Sequence, residues 1–161
     1  MKKIRKISWM VTGLFLVFFV LYLGPDLWTK HKAKHSAGQF LNDVKNDNLE
    51  QAFNRIYFFD SAFDEDVTIK KDAARKSWVT RIKQLKNKGT YIKSFERLRI
   101  RLNDGLPAGS VDMVMVENGK ERVYKDVYLS FQNDKGEWKV GMLQTMQEKS
   151  WEKTLGGQVI K

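Results

Sequence analysis

The chain contains no cysteine, which excludes disulfides, thiolate metal sites, a cysteine nucleophile and a lipid-modified cysteine anchor. It has only two histidines, His31 and His35, and neither is spaced with acids to hold a metal. No G-x-S-x-G and no phosphate-binding glycine loop occur, and the glycines sit singly at turns apart from Gly156-Gly157. No metal and no cofactor is expected from such a sequence.

Charge is missing from one long stretch. Ile7–Leu23, ISWMVTGLFLVFFVLYL, carries none, behind the basic flank MKKIRK at residues 1–6. A helix over Ile7–Gly24 would be roughly 27 Å long at 1.5 Å per residue, close to a hydrocarbon core of about 30 Å. Trp9 at one end and Tyr22 and Trp28 at the other suit the headgroup level. A cleaved signal peptide would have a shorter apolar region ending in a small-x-small site. Here Tyr22 stands two positions before Gly24, His31 before Ala33 and His35 before Ala37. The expectation is a retained transmembrane anchor over 7–24, followed by a basic linker over 25–35. Lys2, Lys3, Arg5 and Lys6 are denser than Lys30, Lys32 and Lys34, so the N-terminus is placed in the cytoplasm and the domain outside it, at the cell membrane.

Positive charge is in excess, at +10 overall, and it is unevenly spread. Asp43–Asp66 holds seven acids and two bases, whereas Lys70–Lys88 holds eight bases against Asp72 alone. Such segregation reflects a solvated helix face, pairing within the fold, or a dipole that orients the domain near a charged surface.

From Ser36 the hydrophobic period is helical. Phe40, Leu41 and Val44 line a first helix; Leu49, Ala52, Phe53, Ile56 and Tyr57 line a second, with Asp47 and Glu50 as a capping box. FDSAFDED, Phe59–Asp66, is an acidic loop without the glycine and terminal glutamate of an EF-hand, so no calcium site is expected. Ala74, Trp78, Ile82 and Leu85 mark a third helix that Gly89 stops. Beyond Thr90 the period changes to alternation, giving strands at Tyr91–Leu102, Val111–Glu117, Glu121–Gln132 and Glu137–Met146. Asn118-Gly119 signals a two-residue hairpin and Asn133–Gly136 a four-residue turn. The fold class is α+β: an N-terminal transmembrane helix, then three helices packed on a curved four-stranded antiparallel sheet. The domain is expected over 36–146, with a tail at 147–161 that frays after Gly156-Gly157.

These turns predict a register. Phe131 pairs with Trp138, Leu129 with Val140 and Val127 with Met142 on the inner face. The Asn-Gly hairpin pairs Val114 with Val123 inside and Met113 with Tyr124 outside. In the first strand Leu98, Ile100 and Leu102 face in, and Arg97, Arg99 and Arg101 form an outer column. The candidate interface is therefore Arg97, Arg99, Arg101, Met113, Tyr124 and Tyr128, residue types enriched where proteins meet. Glu96 and Asp112 fall on the inner face as candidate pocket acids, with Asp112 opposite Lys125.

QFLNDVKNDNLEQAF resembles the paired opening helices of the nuclear-transport-factor-2-like (cystatin-like) superfamily. LKNKGTYIKSF is similar to its helix-to-first-strand crossing, and NDKGEWKVGML to its final hairpin, so the likeness covers roughly Ser36–Met146. The resemblance implies a curved sheet wrapped around helices as a cone with a pocket. It implies no single activity, since the superfamily hosts isomerases, dehydratases, transport factors and secretion scaffolds. The expectation is a membrane-anchored extracytoplasmic binding or assembly domain, an accessory component of a cell-envelope complex with a protein partner. Alternatives are a scaffold subunit of a type IV secretion or conjugation machine, and a domain whose pocket binds a small ligand or performs weak acid–base chemistry. Anionic lipid or cell-wall polymer is a further candidate partner; nucleic acid is disfavoured by the extracytoplasmic placement.

Overall fold

The computed structural model describes the backbone of residues 2–59 and 69–158, and side chains from residue 24 onward within those ranges. The side chains of the expected anchor and most of the acidic loop FDSAFDED lie outside the described residues. The elements run α1 (Lys2–Lys45), α2 (Leu49–Phe53), α3 (Lys71–Asn87), β1 (Tyr91–Asn103), β2 (Leu106–Glu117), β3 (Lys120–Asp134), β4 (Glu137–Gln144) and α4 (Ser150–Leu155). The fold is α+β, with one antiparallel sheet in the order β1-β2-β3-β4. Among the described residues no helix is long and apolar enough to cross a membrane.

The linker expected over 25–35 is helix instead. α1 continues through Pro25 into the domain, and Ala33, Ala37, Phe40, Leu41 and Val44 form one buried stripe at helical spacing. The stripe begins inside the supposed linker, so the folded domain starts near Ala33 and not at Ser36. α2 is shorter than its apolar pattern suggests. Beyond Phe53 the backbone is drawn to β4, where Val140 N–H donates to the Arg55 carbonyl and Tyr57 N–H to the Val140 carbonyl, both at 2.9 Å. The capping box also fails: Asn48 takes the N-cap position, while Asp47 closes the turn at φ 61° and pairs with Lys86.

All three hairpins turn on two residues, Asp104-Gly105, Asn118-Gly119 and Lys135-Gly136, each with positive φ at both positions. That geometry matches the twist of antiparallel strands. The stretch between the first two expected strands, Asn103–Gly109, is therefore mostly hairpin and the start of β2. The last turn is also tighter than expected, so Phe131 pairs with Val140 and Asn133 with Trp138. A bulge then brings Leu129 opposite Leu143.

The Asn-Gly register is as expected, with Met113 opposite Tyr124 and Val114 opposite Val123. Its faces are inverted. Met113 and Met115 are fully buried, whereas Val123 is 65% exposed. The cause is an extra residue in β3 between Tyr124 and Val127, with Asp126 at φ 51°. One inserted residue moves every side chain beyond it to the other face. A matching bulge lies in β1 between Glu96 and Arg99, where Arg97 has φ 53°, and another between Ile92 and Ser94. Inward positions in β1 accordingly run Ile92, Phe95, Leu98, Ile100, Leu102.

Bulges bend strands and increase their twist. Here the sheet curls until both edge strands, β1 and β4, pack on α1. Gly109 sits inside the bend, where a Cβ would meet Ile100 Cδ1 at 3.0 Å and Leu129 Cβ at 3.2 Å. Trp78 of α3 closes the core against Phe40 and Phe53, with ring centroids 6.3 and 6.1 Å away. The tail is part of the fold. Trp151 and Leu155 of α4 are buried, and Arg81 donates to the Gln158 carbonyl at 2.8 Å. The domain thus extends at least to Gln158, and the expected boundary at Met146 is corrected.

Candidate functional site

The two positive-φ bulges flank one residue, Asp112 of β2, which is 3% exposed. Its Oδ1 accepts the Asp126 backbone N–H at 2.9 Å, and its Oδ2 is paired with the Arg97 guanidinium. A bulged residue loses its ladder partner, so one carboxylate on the middle strand satisfies a backbone donor on one neighbour and a side chain on the other. Asp112 therefore does not face inward toward Lys125 as expected. It lies between inward-facing Val111 and Met113, on the outer face beneath Arg97. Glu96 is exposed and lies 4.0 Å from the Arg97 Nε. These two acids do not converge on a pocket; one braces the bend and the other is in solvent.

The backbone hydrogen bond from Asp126, with Arg97 adding to it, holds the Asp112 carboxyl below the usual range despite burial. A depressed folded pKa means the stabilisation is present above the unfolded value of about 3.9 and is lost as pH falls through the folded one. Asp112→Ala is expected to cost about 1–3 kcal/mol at neutral pH, mainly by orphaning the Asp126 N–H. Urea titrations at pH 7 and near pH 2 check this, with the gap from the native protein narrowing at the acid end as the charge-dependent part is lost. A gap unchanged between the two pH values would detach the effect from the carboxylate charge.

The expected six-residue interface divides. Met113 is fully buried in the core. Tyr124 turns inward, where its ring meets Trp151 at 5.4 Å and its hydroxyl donates to Glu117 at 2.6 Å. Glu117 also accepts the Trp151 Nε1–H at 3.0 Å and lies 3.3 Å from the Arg122 Nε. Burial, then the bond to Glu117, pushes the Tyr124 hydroxyl pKa up. Sequence reasoning missed this cluster because Trp151 stands in a segment without a period. Arg97 is committed to Asp112, and Arg99 lies 3.8 Å from Asp126.

What remains outward is Arg99, Arg101 and Tyr128. Arg99, Ser110, Tyr128 and Gln144 lie in one row across the sheet, and Arg101, Ala108 and Ser130 in the next. The small side chains between the arginines and the tyrosine leave a shallow platform. Among the described residues Arg101 has no carboxylate within ion-pair distance.

The interior, where a cone-shaped domain would hold a ligand, is occupied by Trp78, Phe40, Leu41, Met113, Met115 and Trp151. A cleft of about 340 Å³ opens at the surface beside Phe53, Tyr57, Ile69 and Lys139. Deeper in, among the described residues, a gap beside Val44, Ile82 and Met115 holds about 20 Å³, near the minimum for one water and far below a ligand site. Among the described residues no three His, Asp or Glu side chains gather as a metal would require. No protein-family model matches the chain, and no characterised protein is significantly similar to it in sequence.

Proposed function

We propose that this chain is a single-pass, membrane-anchored domain that acts outside the cytoplasm by binding a protein partner, as an accessory component of a cell-envelope assembly. One observation carries the reading: the interior is filled by side chains, while the outer sheet face bearing Arg99, Arg101 and Tyr128 is open. A surface that presents guanidinium groups and an aromatic ring over small neighbours suits protein recognition. The curled sheet around α1 is compatible with the nuclear-transport-factor-2-like resemblance, and the filled interior favours the binding members of that class over the enzymatic ones. The uncharged segment Ile7–Leu23 lies within α1, which runs on to the buried stripe from Ala33 with no loop between them, and this supports an anchor joined directly to the domain.

The test is chemical crosslinking in intact membranes, followed by co-purification, with protease added from outside to establish the domain's side. Arg99→Glu with Arg101→Glu is expected to reduce captured partner at least tenfold while the thermal transition stays in place. Unchanged capture would remove the platform as the interface, and a protease-protected domain would reverse the orientation.

A second reading rests on the alignment of β1 with α1. Gly38 faces Leu98, and Lys45 Nζ lies over the Phe95 ring, so the strand descends as the helix rises. From Leu98 to Asn103 is about 16 Å of strand, equivalent to about eleven residues of helix. The β1–β2 turn, with exposed Leu106, is thereby level with exposed Leu27 and Trp28 at the end of the anchor. On that geometry Arg101 is within reach of anionic headgroups. Loss of binding to anionic nanodiscs in the same double variant, with partner capture intact, would select this reading.

A further inference from the structure

β3 is longer than the strand beside it. β4 pairs with β3 only from Asp134 back to Tyr128 and then leaves the sheet at Gln144. The half of β3 from Lys120 to Val127 keeps β2 on one side and, among the described residues, has no strand on the other. The lane β4 vacates is a groove of about 630 Å³, with Arg122, Val123, Tyr124, Lys125 and Asp126 along one wall and Thr145–Gln147 and Lys149 along the other. Glu152 holds the far wall away from the sheet, because its Oε1 accepts the backbone N–H of Thr145 at 3.1 Å and that of Lys149 at 3.0 Å.

We propose that this lane is a binding site for an acidic, extended peptide segment of a partner protein, which adds to β3 as a strand. Every second residue of an unpaired edge presents its N–H and C=O to an incoming chain. The eight residues Lys120–Val127 offer about 25 Å of such edge. Val123 is 65% exposed and Met146 fully so, which supplies apolar contact on both sides of the lane. The charge is specific. Arg122 is paired with Glu117 and Asp126 with Arg99, whereas Lys125 and Lys149 have no carboxylate within ion-pair distance among the described residues. Two unmatched cations, one on each wall, call for carboxylates on the segment between them.

This site is separate from the Arg99–Tyr128 platform and does not depend on membrane anchoring. The full chain in detergent micelles is titrated against a fluorescein-labelled hexapeptide of alternating glutamate and valine, read by anisotropy. Saturable binding is expected, with no binding of the lysine–valine counterpart. Lys125→Glu together with Lys149→Glu is expected to weaken it at least tenfold with an unchanged thermal transition. Methylating alternate backbone nitrogens of the glutamate–valine peptide alters no protein residue and should abolish binding, as strand addition requires. Absence of saturable binding, equal binding of the methylated peptide, or indifference to the lysine reversals would each overturn the proposal. So would concentration-dependent dimerisation that Lys125→Glu abolishes, since the lane would then serve a second copy.

Discussion

Ending the chain at Glu148 is expected to abolish cooperative folding of the whole domain, even though only the last thirteen residues are removed. Trp151 and Leu155 would be lost from the core, each worth about 1.5–3 kcal/mol of apolar burial. The Trp78 Nε1–H would lose its acceptor, the Leu155 carbonyl at 3.3 Å. An orphaned buried donor costs about 1–3 kcal/mol more. Glu117 would lose the Trp151 donor, and Arg81 the Gln158 carbonyl. Against a net stability of about 5–15 kcal/mol for a domain, these losses consume most or all of what is available. Thermal unfolding of the truncated chain in micelles, followed by near-ultraviolet circular dichroism, checks it. A cooperative transition within a few degrees of the full chain would make α4 an ornament on an independently stable domain.

The second large effect is expected at Trp78. Its side chain is fully buried where α1, α2, α3 and α4 meet, between the rings of Phe40 and Phe53 and under the Leu155 carbonyl. Helices crossing from several directions leave no single neighbour able to fill the space of an indole. Trp78→Ala is expected to cost about 3–5 kcal/mol, read as a lower urea midpoint at an unchanged slope. Trp78→Phe keeps most of the ring and loses the hydrogen bond, so it should fall well short of that. Equal losses in the two variants would assign the effect to the N–H, not the volume.

Much of the fold was legible because its signals are local. The third helix announced itself through Ala74, Trp78 and Ile82 and ended at Gly89 as its glycine indicated. The four strands followed from alternation, and Asn118-Gly119 placed the central hairpin in the observed register. Lys135-Gly136 was harder, because lysine is not a residue that signals positive φ.

The candidate site was much less legible, for one physical reason. Parity carried from Val127, Leu129 and Phe131 back through β3 assigns Val123 to the core and Tyr124 to solvent. The extra residue at Asp126 reverses both. Arg97 is not a residue that favours positive φ, and Asp126, which tolerates it, is not the glycine that would mark a bulge. Each is compensated from another strand, by the carboxylate of Asp112. A compensation that reaches across strands has no signature within either one.

The sequence by itself determined the third helix, the four strands and their order, the uncharged segment and the outward placement of Arg99, Arg101 and Tyr128, because each depends on periodicity, turn chemistry or composition within a few residues. Only the tertiary structure decided which face of the Asn-Gly hairpin is buried, that Asp112 braces the bend, that the tail completes the core, and that β4 leaves an open lane beside β3. Those depend on contacts between residues far apart in the chain, such as Trp78 with Leu155 and Asp112 with Arg97 and Asp126, where packing and hydrogen-bond satisfaction outweigh local preference.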